Sequence, residues 1–307
     1  MVAPATQAAP EAGSALDRLR RRAVERALAG TAQLPLWPEA VRGLPNGVLR
    51  SALFGVVPKG GGRRYLERER LASLEGVTIH YTGQRLDQGD LDLWATVLHL
   101  ARIQALGAQC RFTAYALLRW LGKADTGENR RILHRRLLRL MANSVELTQG
   151  RFTYLGSLVE EAYRDAATQA YTVVLNARLC PLFELDQFTH VDWAVRRALE
   201  GKQLAKWLHG FYATHARPFP ITVGALLALS GSANSEPRSR RQKLGAALAA
   251  VAEACAQNGQ VFRAELRGDL VHVERAASTR ARQHPPEPGA EAELSTEGPV
   301  TGGRIPS

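Results

Sequence analysis

Cysteine is scarce in this 307-residue chain: Cys110, Cys180 and Cys255 lie far apart, with no C-x-x-C pair. That excludes a disulfide framework and a cysteine zinc site. No run of 18 apolar residues occurs, so no membrane-spanning helix is expected. The first residues, MVAPATQAAPEAGSAL, lack the basic stretch and apolar core of a secretory signal. A cytoplasmic protein without a membrane partner is the expectation. Catalytic signatures are missing too: there is no G-x-S-x-G, no H-E-x-x-H, and no G-x-x-x-x-G-K-[ST] phosphate loop. Asp87, Asp90 and Asp92 cluster, but with the wrong spacing for a calcium loop and no closing glutamate. Capping and first-turn charge on a helix beginning near Asp90 explain them better. No enzymatic activity, cofactor or metal is expected.

Acidic residues are also in deficit, 29 against 40 lysines and arginines, for a formal charge of +11. Such an excess favours a polyanion, nucleic acid or an acidic membrane surface, over a merely soluble basic surface.

The ends are poor in aromatics. Residues 1–30 read as a flexible arm with one short basic helix, ALDRLRRRAVERALA, and residues 277–307 as a disordered tail rich in Pro, Gly, Glu and Ser. Between them one order of elements occurs twice. The first copy has a long helix from about Asp90, a helix FTAYALLRWLG, a turn, a helix NRRILHRRLLRLMAN, and a hairpin from SVELTQG and RFTYLGSLV. The second has a helix over 201–215, a helix VGALLALSG, a helix from Pro237 to about Gln257, and a hairpin turning at Arg267-Gly268. Helix, helix, turn, helix and hairpin, repeated, predict an α+β chain of two tandem winged-helix domains, 31–185 and 186–276.

Each third helix is a candidate nucleic-acid reader. With Leu133, Leu137, Leu140 and Met141 inside the first, Arg131, Arg135 and Arg139 fall outside, and Arg130 and Arg136 at the boundary. Guanidinium forks suit phosphates and guanine edges, although a charge run is also what a solvated face carries. The second helix presents Arg238, Ser239, Gln242 and Lys243 near its N-terminus, with Arg240 and Arg241 at the edges. Arg151 and Arg267 in the hairpins are candidate phosphate contacts. The stretch PKGGGRRYLERER, 58–70, reads as a mobile basic loop.

Three long segments, LPNGVLRSALFG (44–55), GVTIHYTGQRLDQGDLDLW (76–94) and FTAYALLRWLG, resemble the TrfA-type plasmid replication initiators of IncP-like plasmids. The similarity extends from about Gln33 to Val273. The resemblance implies a bacterial protein that binds directly repeated sites (iterons) in double-stranded origin DNA and helps open an adjacent single-stranded A·T-rich segment. It also implies recruitment of the host initiator, replicative helicase and sliding clamp, and exchange between monomer and homodimer for copy control. A winged-helix transcriptional repressor regulating its own promoter is the alternative. Gln33, Leu34, Leu36 and Trp37 resemble the Q-L-x-L-F peptide that bacterial proteins insert into the sliding clamp. Clamp docking is the expected role of these residues, with core packing against the first domain, suggested by Pro38 following, as the alternative.

Overall fold

The computed structural model describes residues 34–57, 63–102, 109–168, 170–184, 186–232 and 237–276. The expected N-terminal arm, Gln33 and the C-terminal tail lie outside these residues, as do Lys59 and the glycines of the 58–62 stretch.

The chain alternates helices and small, mostly antiparallel sheets. Strand β1 (Val41–Pro45) leads into a single helical turn α1 (Asn46–Leu49), and β2 (Phe54–Gly55) follows. Strands β3 (Tyr65–Leu71) and β4 (Val77–Gln84) precede the short β5 (Leu86–Asp87) and helix α2 (Gln88–Ala101). The expected basic loop 58–70 is therefore half strand: Leu66 and Leu71 point into the core and draw the segment onto the sheet. Helix α2 starts earlier than expected. Asp87, not Asp90, is its N-cap, and Asp90 reaches back to the Asp87 amide to close a reciprocal capping box.

Two repeats then stand out. Strand β6 (Gln109–Thr113) runs into α3 (Ala114–Trp120), and later β12 (Ile221–Thr222) runs into α7 (Val223–Leu229). Thr113 and Thr222 each cap with the side-chain oxygen accepting from the third residue on, Ala116 and Ala225. Gly122 and Gly231 end the two helices at φ +68° and +66°, which a side chain would resist. FTAYALLRWLG and ITVGALLALSG are thus one structural word written twice. The third helices, α4 (Gly127–Met141) and α8 (Pro237–Gln257), follow in each copy.

The hairpins depart from expectation. Strands β7 (Asn143–Gln149) and β8 (Phe152–Gly156) do form a hairpin at Gly150, but they join a four-stranded sheet in the order β3-β4-β7-β8. The strand partnering β6 is instead β10 (Ala170–Val174), beside β9 (Glu161–Arg164), in the order β6-β10-β9. The second copy has β13 (Val261–Arg267) and β14 (Leu270–Ala276) in the order β12-β14-β13. By topology the counterpart of β13–β14 is therefore β9–β10, and β7–β8 is an insertion.

The boundary also differs from expectation. Strand β11 (Phe188–Asp192) pairs with β1, and the first core takes in Val191 and Trp193. The second core begins at Val195 in helix α5 (Trp193–Ala198) and continues through α6 (Gln203–Ala213). A division at 185/186 would cut β11 from its partner strand.

Trp37 belongs to the first core. It is 4% exposed, stacks on Phe183 and lies against Gly43, where an added Cβ would meet its ring at 2.7 Å. Its indole N–H donates to His99 Nδ1 at 2.9 Å. Because indole only donates, the neutral imidazole carries its proton on Nε2 and gives it to Glu39 at 2.9 Å. Leu34 is buried as well, whereas Leu36 is 70% exposed. Of the two readings of this peptide, core packing is the one realised. Leu34 and Trp37 are not presented to a partner.

Replacing Trp37 by alanine should cost about 3–5 kcal/mol in urea denaturation, while Leu36→Ala should change stability by less than about 0.5 kcal/mol. Burial, aided by the charge of Arg42, pushes His99 down to about 4, and burial pushes His209 down to about 3. Both rings stay neutral in the fold while the unfolded chain takes up protons below about pH 6.5. Stability should therefore be complete above that pH and fall as pH drops toward 4. A His99→Gln variant should show a shallower loss in denaturation midpoints measured across this window.

Candidate nucleic-acid interface

Helix α4 presents a basic face, but its arginines divide. Thr126 caps the helix by accepting from Asn129, and Leu133, Leu137 and Leu140 hold it to the core. Arg131 and Arg135 stand outward, their side chains 67% and 56% exposed, with Glu128 as their nearest acid. Arg130 lies at the margin and forms a paired contact with Asp125 at 2.6 and 2.7 Å.

Arg139 and Arg136 do not join that outer face. Arg139 turns inward and holds both carboxylate oxygens of Asp90, at 2.7 and 3.2 Å. Arg136 approaches the same carboxylate at 3.8 Å, and Arg63, in the stretch expected to be a mobile basic loop, bonds Asp87 and Asp90. The wheel placed Arg139 outside because it cannot see Asp90, which is wholly buried and draws the guanidinium toward it. The outward stripe of α4 is thus shorter, formed by Arg130, Arg131 and Arg135.

The hairpin beside α4 is β9–β10. Tyr171 on β10 packs against His134 of α4, its hydroxyl 3.4 Å from Nδ1. Register places Arg164 opposite Tyr171, and Arg111 of β6 opposite Thr172. Arg111 and Arg164 are exposed on this sheet, Arg164 across from the Tyr171 that packs on α4, yet neither was singled out from the sequence. The available signal was the repeated strand–Thr–helix word, which marks β6 as the counterpart of β12. Arg151, the expected hairpin contact, lies on the inserted β7–β8 turn, over the Phe152 ring and 3.7 Å from Glu184.

In the second copy the N-terminal turns of α8 carry Arg238, Arg241, Gln242 and Lys243 exposed, with Ser239 and Arg240 half-buried. Leu244, Leu248, Val251 and Cys255 form its buried stripe, as their spacing predicts. Arg241 donates to the backbone oxygens of Gly268 and Leu266, so it ties the helix to the β13–β14 turn. Arg267, on that turn, pairs with Glu265 at 2.7 Å.

The two copies are joined through α2. Asp92 receives Arg196 Nε at 2.5 Å and Lys206 Nζ at 2.6 Å. Lys206 also bonds Glu200 at 2.5 Å, which in turn accepts from Lys123 of the first copy at 2.6 Å. Burial opposes charge on Glu200, but the two lysines outweigh it and hold its carboxyl down to about 2. Arg196 Nη2 adds a bond to Gln88 at 2.9 Å. Among the described residues no acid and histidine cluster is arranged to hold a metal ion, and the Asp87–Asp92 carboxylates are taken by arginine and lysine. No helix among them is long and apolar enough to cross a membrane.

A family model described as "TrfA protein" matches residues 7–275. The plasmid replication initiator protein TrfA of Escherichia coli is 28% identical over 249 residues, covering 78% of this chain and 63% of that protein. The chain therefore spans under two thirds of this curated relative. A crystal structure of domains 2 and 3 of RctB is similar at 12% identity and a TM-score of 0.49, over 75% of this chain and 96% of that one. The Pi initiator protein, solved in complex with iteron DNA, is similar at 13% identity and a TM-score of 0.44, over 60% and 90%.

Removing Asp92 should leave Arg196 buried without its counter-charge and Lys206 with Glu200 alone. Asp92→Ala should then cost about 3–5 kcal/mol in chemical denaturation. Arg139→Gln should destabilise measurably, whereas Arg131→Ala and Arg135→Ala should stay within about 0.5 kcal/mol.

Proposed function

Since the chain belongs to the TrfA family, we propose that it is a plasmid replication initiator acting through sequence-specific binding to repeated sites in origin DNA. The observation that carries this reading is the duplicated unit of strand, helix, helix and hairpin, with a basic third helix in each copy. Each unit is a winged helix on this reading, with α4 and α8 entering successive major grooves. Arg131 and Arg135 on α4, and Arg238 and Gln242 on α8, are the base-reading candidates, suited to guanine and adenine edges. Arg130, Ser239, Arg240, Lys243 and Arg267 serve as flanking phosphate contacts. The two wings are β9–β10 and β13–β14, which gives Arg111 and Arg164 phosphate roles in the first unit. Arg136 and Arg139 act on DNA only indirectly, by setting the angle of α4 against α2.

The protein works without catalysis on this reading: opening of an A·T-rich segment draws on binding energy and assembly of protomers. Recruitment of the host initiator, helicase and sliding clamp, exchange between monomer and dimer, and action in the bacterial cytoplasm belong to the same proposal. Clamp docking through a buried Trp37 is no part of it. Fold alone also suits a repressor, and replication assays of an origin plasmid with the protein supplied in trans separate the two.

Arg131→Ala/Arg135→Ala and Arg238→Ala/Gln242→Ala should each lower the preference for iteron over unrelated DNA, by roughly 1–3 kcal/mol per lost base contact. Arg111→Ala/Arg164→Ala should instead weaken all duplexes alike and reduce the salt dependence by about one unit per phosphate contact. Fluorescence anisotropy at several salt concentrations reads both. Retained specificity in both reading-helix variants would remove the assignment of α4 and α8.

A further inference from the structure

Behind its base-reading end, α8 turns from charge to alanine. Ala246, Ala249 and Ala250 line one wall of an open groove of about 860 Å³ whose other side is the first turn of α6, with Leu204, and Leu227 of α7. The groove is apolar along its floor and basic at its rim, where Lys202 and Lys243 stand, with Glu253 as the one acid among the described lining residues. Lys202 is also the N-cap residue of α6 and makes no side-chain capping bond. A lysine there has the wrong sign for a helix N-terminus, where first-turn amides and the helix dipole favour a carboxylate. The site asks for an occupant with small apolar side chains and acidic groups.

The chain carries such a segment. After Ala276 there are 31 further residues, and the stretch PPEPGAEAELSTEGPV holds Glu287, Glu291, Glu293 and Glu297 without a lysine or arginine. Its centre, AEAEL, alternates alanine with glutamate and ends in Leu294. Geometry permits the return. Ala276 pairs with Val261 and borders a small cavity with Cys255, at the C-terminal end of α8. From there to Ala250 is only about 10 Å along the helix at 1.5 Å per residue. The chain from Ala276 to Leu294 spans up to about 60 Å when extended. This segment also lies beyond the family match, which ends at residue 275.

We infer that the groove between α6 and α8 is a docking site for the chain's own acidic segment 287–297. Leu294 and the alanines lie on the alanine wall, and the glutamates face Lys202, Lys243 and the α6 N-terminus. Lys243 also flanks the DNA-reading end of α8, so the docked segment competes with phosphate for the same cation. The tail thereby weakens binding of the second unit to every duplex by the same factor, the inverse of the undocked fraction.

The test uses the full chain with Cys180→Ser, leaving the buried Cys110 and Cys255 in place. Ala250→Cys/Leu294→Cys is compared under mild oxidation with Leu155→Cys/Leu294→Cys, whose first position is exposed on β8 of the other unit. Docking predicts that the groove pair closes an intramolecular disulfide at least about tenfold faster than the control pair, as a held contact exceeds a freely searching tether. Glu291→Gln/Glu293→Gln/Glu297→Gln, or Lys202→Glu, should slow that closure at least about threefold, and 0.5 M salt should do the same. Equal rates for the two pairs, insensitivity to the charge substitutions, or disulfides formed only between chains would overturn the inference. The disulfide readout is independent of DNA, so it fails or holds separately from the initiator reading.

Discussion

Two aspartates at the start of one helix hold the molecule together. Asp90 and Asp92 lie two residues apart on α2, about 200° around the axis, so they face opposite sides. Asp90 gathers Arg63, Arg136 and Arg139 from the first unit. Asp92 gathers Arg196 and Lys206 from the second. Both carboxylates are buried, so neither can lose its partners cheaply, and one helical turn becomes the keystone between the two repeated units. Trp193 adds a direct strut from α5, its indole donating to the Trp120 carbonyl at 3.3 Å.

Much of this architecture was legible because its causes are local. The Thr113 and Thr222 caps, the closing glycines and the inner stripe of α8 are written within a few residues of where they act. What escaped the sequence depends on distant partners. Nothing near SVELTQG says that β7 will pair with β4 rather than with β6, since strand pairing is decided by long-range register. Nothing near Arg139 says that a buried carboxylate waits on another helix. Periodicity assigns a face and leaves open what lies across from it.

The same lesson governs the opening peptide. Gln33 to Trp37 matches a linear docking motif in its residue types, and such motifs need accessible anchors. Leu34 and Trp37 instead fill the first core, and the Trp37–His99–Glu39 relay satisfies the one polar atom the indole brings inside. Arg102 completes the relay by holding Glu39 and the Trp37 carbonyl. Residue identity suggested a handle, and packing made it a rivet.

The Asp92 junction has a metrical consequence. Because α2 grips both units through buried ion pairs, the distance and rotation between α4 and α8 are fixed by the protein rather than negotiated on contact. A chain built this way is a caliper. On the proposed function it would measure the phase between two stretches of origin DNA as well as their letters, so a site with correct bases but one extra base pair between them would present the second stretch about 34° out of step. Spacing then becomes part of the recognised message.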